Sequence, residues 1–304
     1  MKQALGIVLL LYLLIASNET LWAADAVFPF DNAYLGTQVC QVCHQEQFAT
    51  FSKTAMGKIF LRSPRSPTEA LGCEACHGPG LSHLAAVRAG DENKGIIAFR
   101  QNSPQPVAER NAVCLGCHER GIRTFWKGSQ HESRDLACTN CHRIMEKISR
   151  KTQFVKETEM EVCFQCHPQR RAQLQRSSHM PLREGKITCT DCHNPHGTVT
   201  AKLLKANSVN ETCYKCHAEK RGPFLWEHPP VRENCLHCHN PHGSNHDKLL
   251  KVKRPRLCQR CHVQQSHPTT PQLPTSRFAF NRACQNCHSQ IHGSNDPAGI
   301  RRQR

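Results

Sequence analysis

Cys163-Phe-Gln-Cys-His167 and Cys189-Thr-Asp-Cys-His193-Asn-Pro-His-Gly197 are two copies of one motif, Cys-x-x-Cys-His, and what that motif holds decides what fold this chain can have. Two thiolates three residues apart can form thioethers to both vinyl groups of one porphyrin, while the next residue brings its imidazole under the iron. The motif occurs ten times, and its copies use all 20 cysteines. The thiol pairs are Cys40 and Cys43, Cys73 and Cys76, Cys114 and Cys117, Cys138 and Cys141, Cys163 and Cys166, Cys189 and Cys192, Cys213 and Cys216, Cys235 and Cys238, Cys258 and Cys261, and Cys284 and Cys287. The histidines that follow are His44, His77, His118, His142, His167, His193, His217, His239, His262 and His288. They are the expected proximal ligands of ten covalently attached haem c groups.

Two other readings of the cysteines fit less well. Zinc ribbons also use Cys-x-x-Cys knuckles, but they need them in pairs and do not require a histidine after each. A disulfide framework explains neither the invariant histidine nor the fixed spacing. The amino terminus agrees with haem attachment outside the cytoplasm. Met1 and Lys2 form a short positive region, Ala4 to Ala16 an apolar one, and Leu21-Trp22-Ala23 a plausible cleavage site, so residues 1–23 read as a signal peptide. That apolar run is short for a membrane span, although an uncleaved anchor is the alternative. With a mean hydropathy of −0.57 and no second apolar stretch, the chain from residue 24 onward has no direct lipid span of its own.

Composition limits the architecture. Residues 24–304 supply roughly 28 residues per haem, and 6% of the chain is aromatic. Such a chain has little side-chain core of its own. The expected fold is mostly α with little regular secondary structure and no sheet of note, an elongated multihaem cytochrome c whose core is the ten haems. The net charge of +16 invites a nucleic-acid reading. Haem propionates answer it: ten haems bring the oxidised protein to about +6 and the reduced one to about −4. No nucleic-acid partner is expected.

A larger unit of two haems overlies the motifs. In it a motif is followed by a lone ligand candidate, a second motif and a trailing candidate. Five such units lie at about 40–83, 114–145, 163–205, 213–251 and 258–292, and residues 295–304 read as a flexible basic tail. Position in the unit gives His83, His131, His179, His196, His228, His242, His267 and His292 as distal iron ligands. Two slots hold methionine. Met145 follows His142 as His196 follows His193, and Met56 precedes Cys73 by the offset at which His267 precedes Cys284. Thioether ligation raises the reduction potential relative to bis-histidine. The alternative is that both methionines are gap fillers and that His237 or His246 reaches in, or that a haem stays five-coordinate. His237 sits inside its own motif and reads as a surface residue, His246 likewise. Spacing alone does not pair each distal ligand with its iron.

Residues 211–245, with Cys213-Tyr-Lys-Cys-His217, Ala218-Glu-Lys-Arg-Gly-Pro223, Trp226-Glu-His228 and Cys238-His-Asn-Pro-His-Gly243, closely resemble the MtrA/DmsE/PioA family of periplasmic decahaem cytochromes. So do Cys73-Glu-Ala-Cys-His-Gly-Pro79 and Cys287-His-Ser-Gln-Ile-His-Gly-Ser294. The resemblance implies a haem wire inserted in an outer-membrane β-barrel porin, passing electrons between the periplasm and the cell exterior, as in metal reduction or iron oxidation. It also implies a periplasmic or inner-membrane cytochrome as donor or acceptor, and allows an extracellular multihaem cytochrome beyond. The family is bis-histidine throughout, so Met56 and Met145 are departures from it. A soluble periplasmic shuttle or storage cytochrome is the alternative. A multihaem oxidoreductase with an open haem is a third reading. Every motif here ends in histidine, where such enzymes commonly mark the open haem with Cys-x-x-Cys-Lys, so no enzyme and no catalytic residue is expected.

Overall fold

The computed structural model describes residues 33–263 and 284–297. The signal segment and its cleavage site, His267 and most of the basic tail lie outside them. The described chain is a succession of short helices joined by turns, the longest being Val107–His118 with 12 residues. No strand forms among the described residues; five isolated bridges are the only ladder pairings. No described helix is long and apolar enough to cross a membrane.

The helices are short because each is built to deliver a motif. Glu159–Phe164 begins at Thr158, whose Oγ1 accepts from Glu161 N at 3.3 Å while Glu161 Oε2 accepts from Thr158 N at 3.2 Å, a capping box just ahead of Cys163. Ser208 caps Val209–Tyr214 from one side only, its Oγ accepting from Glu211 N at 3.1 Å. The second motif of a unit makes a single turn, as in Cys138–Cys141 and Cys189–Cys192. That turn is closed from inside the motif: Asn140 Oδ1 accepts from Ala137 N at 2.7 Å, and Asp191 Oδ2 accepts from Thr188 N at 2.6 Å.

One local arrangement occurs three times with the same bonds. His142 bridges to Phe154, His193 to Leu204 and His239 to Leu250. Ahead of each bridge partner stand two non-glycine residues in the left-handed region: Thr152 and Gln153 (φ 60° and 53°), Lys202 and Leu203 (61° and 57°), Lys248 and Leu249 (55° and 59°). Each costs roughly 1–2 kcal/mol. The strain turns two successive carbonyls inward. The second accepts from the amide after the motif histidine, as Leu203 O does from Asn194 N at 2.8 Å; the first meets the histidine ring itself.

The apolar core is small. Only Phe51, Trp126, Ala137, Val162, Leu174 and Leu250 are buried hydrophobics among the described residues. Running past the motifs instead is a continuous cleft of about 4630 Å³, several times the roughly 300–1,000 Å³ of a small-molecule site. Its walls include cysteines or histidines from nine of the ten motifs, from Cys76 to His288. A mostly apolar wall around so large a space fits a core made of porphyrins.

Candidate haem-binding track

All 20 cysteines are free thiols. Thiols of successive motifs lie near enough to shift one another's pKa. Within a unit this links Cys40 with Cys73, Cys114 with Cys138, Cys163 with Cys189, Cys213 with Cys235, and Cys258 with Cys284. Between units Cys76 feels Cys114 and Cys117, Cys141 feels Cys166, Cys192 feels Cys216, and Cys238 feels Cys261. The motifs therefore follow one another in space in their sequence order. Among the described residues no three His, Cys, Asp or Glu side chains converge as a zinc knuckle needs.

Imidazoles from distant parts of the chain face each other across this track. The ring centroids are 6.3 Å apart for His44 and His83, 6.3 Å for His131 and His167, 6.1 Å for His142 and His196, 6.2 Å for His193 and His242, 6.1 Å for His228 and His262, and 6.3 Å for His239 and His292. Two metal–nitrogen bonds of about 2 Å each, with half a ring beyond each nitrogen, put centroids about 6 Å apart. Each pair joins one motif histidine to one histidine outside the motifs, so the spacing and the partners both fit a six-coordinate haem iron.

The hydrogen bonds of these rings leave Nε2 free for metal. Nδ1–H of His142 donates to Thr152 O at 3.0 Å, that of His193 to Lys202 O and that of His239 to Lys248 O at 2.8 Å each. These acceptors are the first carbonyls of the strained dipeptides. Among the outer histidines, His83 donates to Lys94 O at 3.1 Å, His131 to Pro195 O at 2.7 Å, and His228 to Ile291 O at 3.0 Å. A carbonyl on Nδ1–H fixes the tautomer, orients the ring and raises the basicity of Nε2. Burial, with His142 and Arg123 adding, pushes His196 down to about 4, and burial with Arg170 adding does the same for His242. Both imidazoles are thus neutral at neutral pH, the form that ligates metal.

The remaining candidates are placed less uniformly. His77 donates to Ile97 O at 2.8 Å and meets Phe99 edge-on at 5.3 Å. Among the described residues no imidazole faces His118 or His217. His179 holds Arg176 O on Nδ1 at 2.7 Å and Glu184 Oε1 on Nε2 at 3.1 Å. Met56 is half-buried on the helix Ala55–Arg62 and lines the cleft together with Cys76 and His118. Met145 is half-buried in the turn after His142. His237 turns outward, 49% of its side chain exposed, with Nδ1 near Pro230 O. His246 makes a main-chain bond to Ser244 Oγ.

Two residues that motif reading passes over tie the motifs of a unit together. Asn111 is 4% exposed; its Oδ1 accepts from Cys138 N at 2.8 Å and its Nδ2 donates to Leu136 O at 3.0 Å. Asn210 does the same two repeats later, accepting from Cys235 N at 2.8 Å and donating to Val231 O and Arg232 O at 2.9 Å. Both stand three residues before the first cysteine of their unit, and that shared offset is the signal in the sequence. Glu159 plays the part in between, accepting from Thr190 N and Oγ1 at 2.8 and 2.9 Å. Asn210→Ala leaves a buried N–H and two carbonyls unpaired, and we expect it to lower the stability of the holoprotein by about 1–3 kcal/mol. Denaturant unfolding followed at the haem bands measures this; an unchanged midpoint would remove Asn210 from the clamp.

Comparison with known proteins agrees with this geometry. The doubled CXXCH motif family matches residues 131–172, 179–222 and 228–267. Over 284 residues the chain is 44% identical to the Multiheme cytochrome MtrA of Shewanella baltica (strain OS185), covering 88% of this chain and 81% of that protein. A stretch of 102 residues is 24% identical to the Cytochrome c-type protein NrfB of Haemophilus influenzae, 33% of this chain and 45% of NrfB. Repeated haem-attachment motifs, facing imidazoles at iron-ligand spacing and this level of identity make the chain a member of the MtrA family of multihaem c-type cytochromes, which are electron-transfer proteins.

Proposed function

We propose that the chain carries ten haems as a continuous electron conduit between periplasmic redox partners and the cell exterior, sheathed by an outer-membrane β-barrel porin. The observation that carries this reading is the single cleft that runs past nine motifs, from Cys76 to His288. Haem supplies the iron couple through which electrons pass from one site to the next. The chain's own residues do the rest. Paired cysteines fix each porphyrin, the motif histidine holds one axial position, and a residue from outside the motifs holds the other: His83, His131, His179, His196, His228, His242, His267, His292, Met56 or Met145. Five two-haem units and a cleaved signal peptide complete the reading.

The sheath is argued from physics. A polar chain with unpaired turns cannot lie in hydrocarbon, and only a closed barrel can enclose it there. Donor and acceptor are multihaem or inner-membrane cytochromes at the two ends. The test is to fractionate native cells under mild detergent and identify what accompanies the haem-stained protein. Recovery with a β-barrel in equal amount supports the conduit. A free periplasmic monomer favours a shuttle, and rapid binding of carbon monoxide to the wild-type protein favours an enzyme with an open iron.

A further inference from the structure

Five of the six facing pairs obey a rule that the spacing of the sequence does not state. Candidates between the two motifs of a unit reach forward, to the first iron site of the next unit: His131 of the second unit faces His167 of the third, and His228 of the fourth faces His262 of the fifth. Trailing candidates reach back, to the second site of the unit before. His196 faces His142, His242 faces His193, and His292 faces His239. Packing repeats the backward reach, since Gly197, Gly243 and Gly293 each lie against the middle segment of the preceding unit, at Phe125, Gln173 and Phe224. The remaining pair departs from the rule: the trailing His83 of the first unit faces His44 of its own unit.

Applied to the other described candidates, the rule gives each one site. His179 serves His217. Met56 is the middle candidate of the first unit and reaches forward to His118, with which it shares the cleft. Met145 is the trailing candidate of the second unit and reaches back to His77.

We infer that Met145 and Met56 are the sixth ligands at the second and third haem sites, which makes these two neighbours a high-potential pair next to the amino-terminal haem. Cys76 of the second site and Cys114 and Cys117 of the third line the same cleft. Sulfur in place of imidazole raises an iron's potential, so the pair forms a two-electron well in an otherwise bis-histidine track. The inference rests on the haem and ligand reading above and is independent of the porin.

The test uses the purified ten-haem protein, its haem count checked by intact mass. The wild type should show the far-red sulfur-to-iron charge-transfer band of His/Met haem, and a redox titration in which two of ten haems reduce ahead of the others. Met145→His and Met56→His should each halve the band and return one haem to the main group; the double variant should abolish the band. Met145→Ala should leave one iron in ten open to carbon monoxide, and Met145→His should close it again. A wild type with no such band, or a band untouched by both histidine variants, overturns the inference. If the porin fails to co-purify while the band behaves as stated, the conduit reading falls and the methionine pair stands.

Discussion

His242→Ala is expected to keep all its haem covalently attached while leaving one iron in ten with a single protein ligand. Cys189 and Cys192 hold that porphyrin and His193 sits on the near side, so attachment does not depend on residue 242. The far side does: the His242 ring lies 6.2 Å from the His193 ring, and burial keeps it neutral and ready to bind. Nothing close by in sequence replaces it, because the nearest spare imidazoles, His237 and His246, are engaged at Pro230 and placed beyond Ser244. One-tenth of the low-spin signal should convert to high-spin, and that haem alone should take up carbon monoxide rapidly. His237→Ala, which removes an outward-facing ring, should do neither. A His242→Ala protein that stays wholly low-spin and inert to carbon monoxide would show that His242 does not ligate iron.

Blocking haem attachment altogether is expected to abolish the fold. Only six apolar side chains are buried among the described residues, whereas ordering the backbone costs roughly 1–2 kcal/mol per residue. The helices are too short to stand alone, isolated helices below about 12–15 residues being marginal in water, and the longest among the described residues has 12. The chain produced without haem-attachment machinery should therefore show no cooperative unfolding transition and should be cleaved rapidly by a nonspecific protease, while the loaded protein resists. A compact haem-free chain with a sharp transition would mean that the polypeptide carries a core of its own.

The motifs were fully legible in the sequence because thioether attachment demands a fixed local spacing, and local spacing is what a sequence displays. Candidates for the distal positions can be read from their place in the repeat. Their pairing was not. His142 and His196 are 54 residues apart, His193 and His242 49, and His131 and His167 36, and no periodicity short of the folded chain joins them. Asn111 and Asn210 look like ordinary helix residues until their amides are seen to grip the next motif. The left-handed Lys202–Leu203 and Lys248–Leu249 pairs were hidden for a different reason. Lysine and leucine have no preference for that region, so only tertiary demand, here a carbonyl needed at a histidine ring, puts them there.

The exchange of ligands between neighbouring units also bears on how such a chain can change its length. A cut between two interior units strips an axial ligand from each side, so a fragment ends on exposed irons and cannot be trimmed repeat by repeat. Insertion is different. An added interior unit finds a lender ahead and a lender behind, while His83 turned onto His44 still closes the amino-terminal end as before. Lineages of these proteins should therefore grow by duplication from the middle, two haems at a time, and keep their ends.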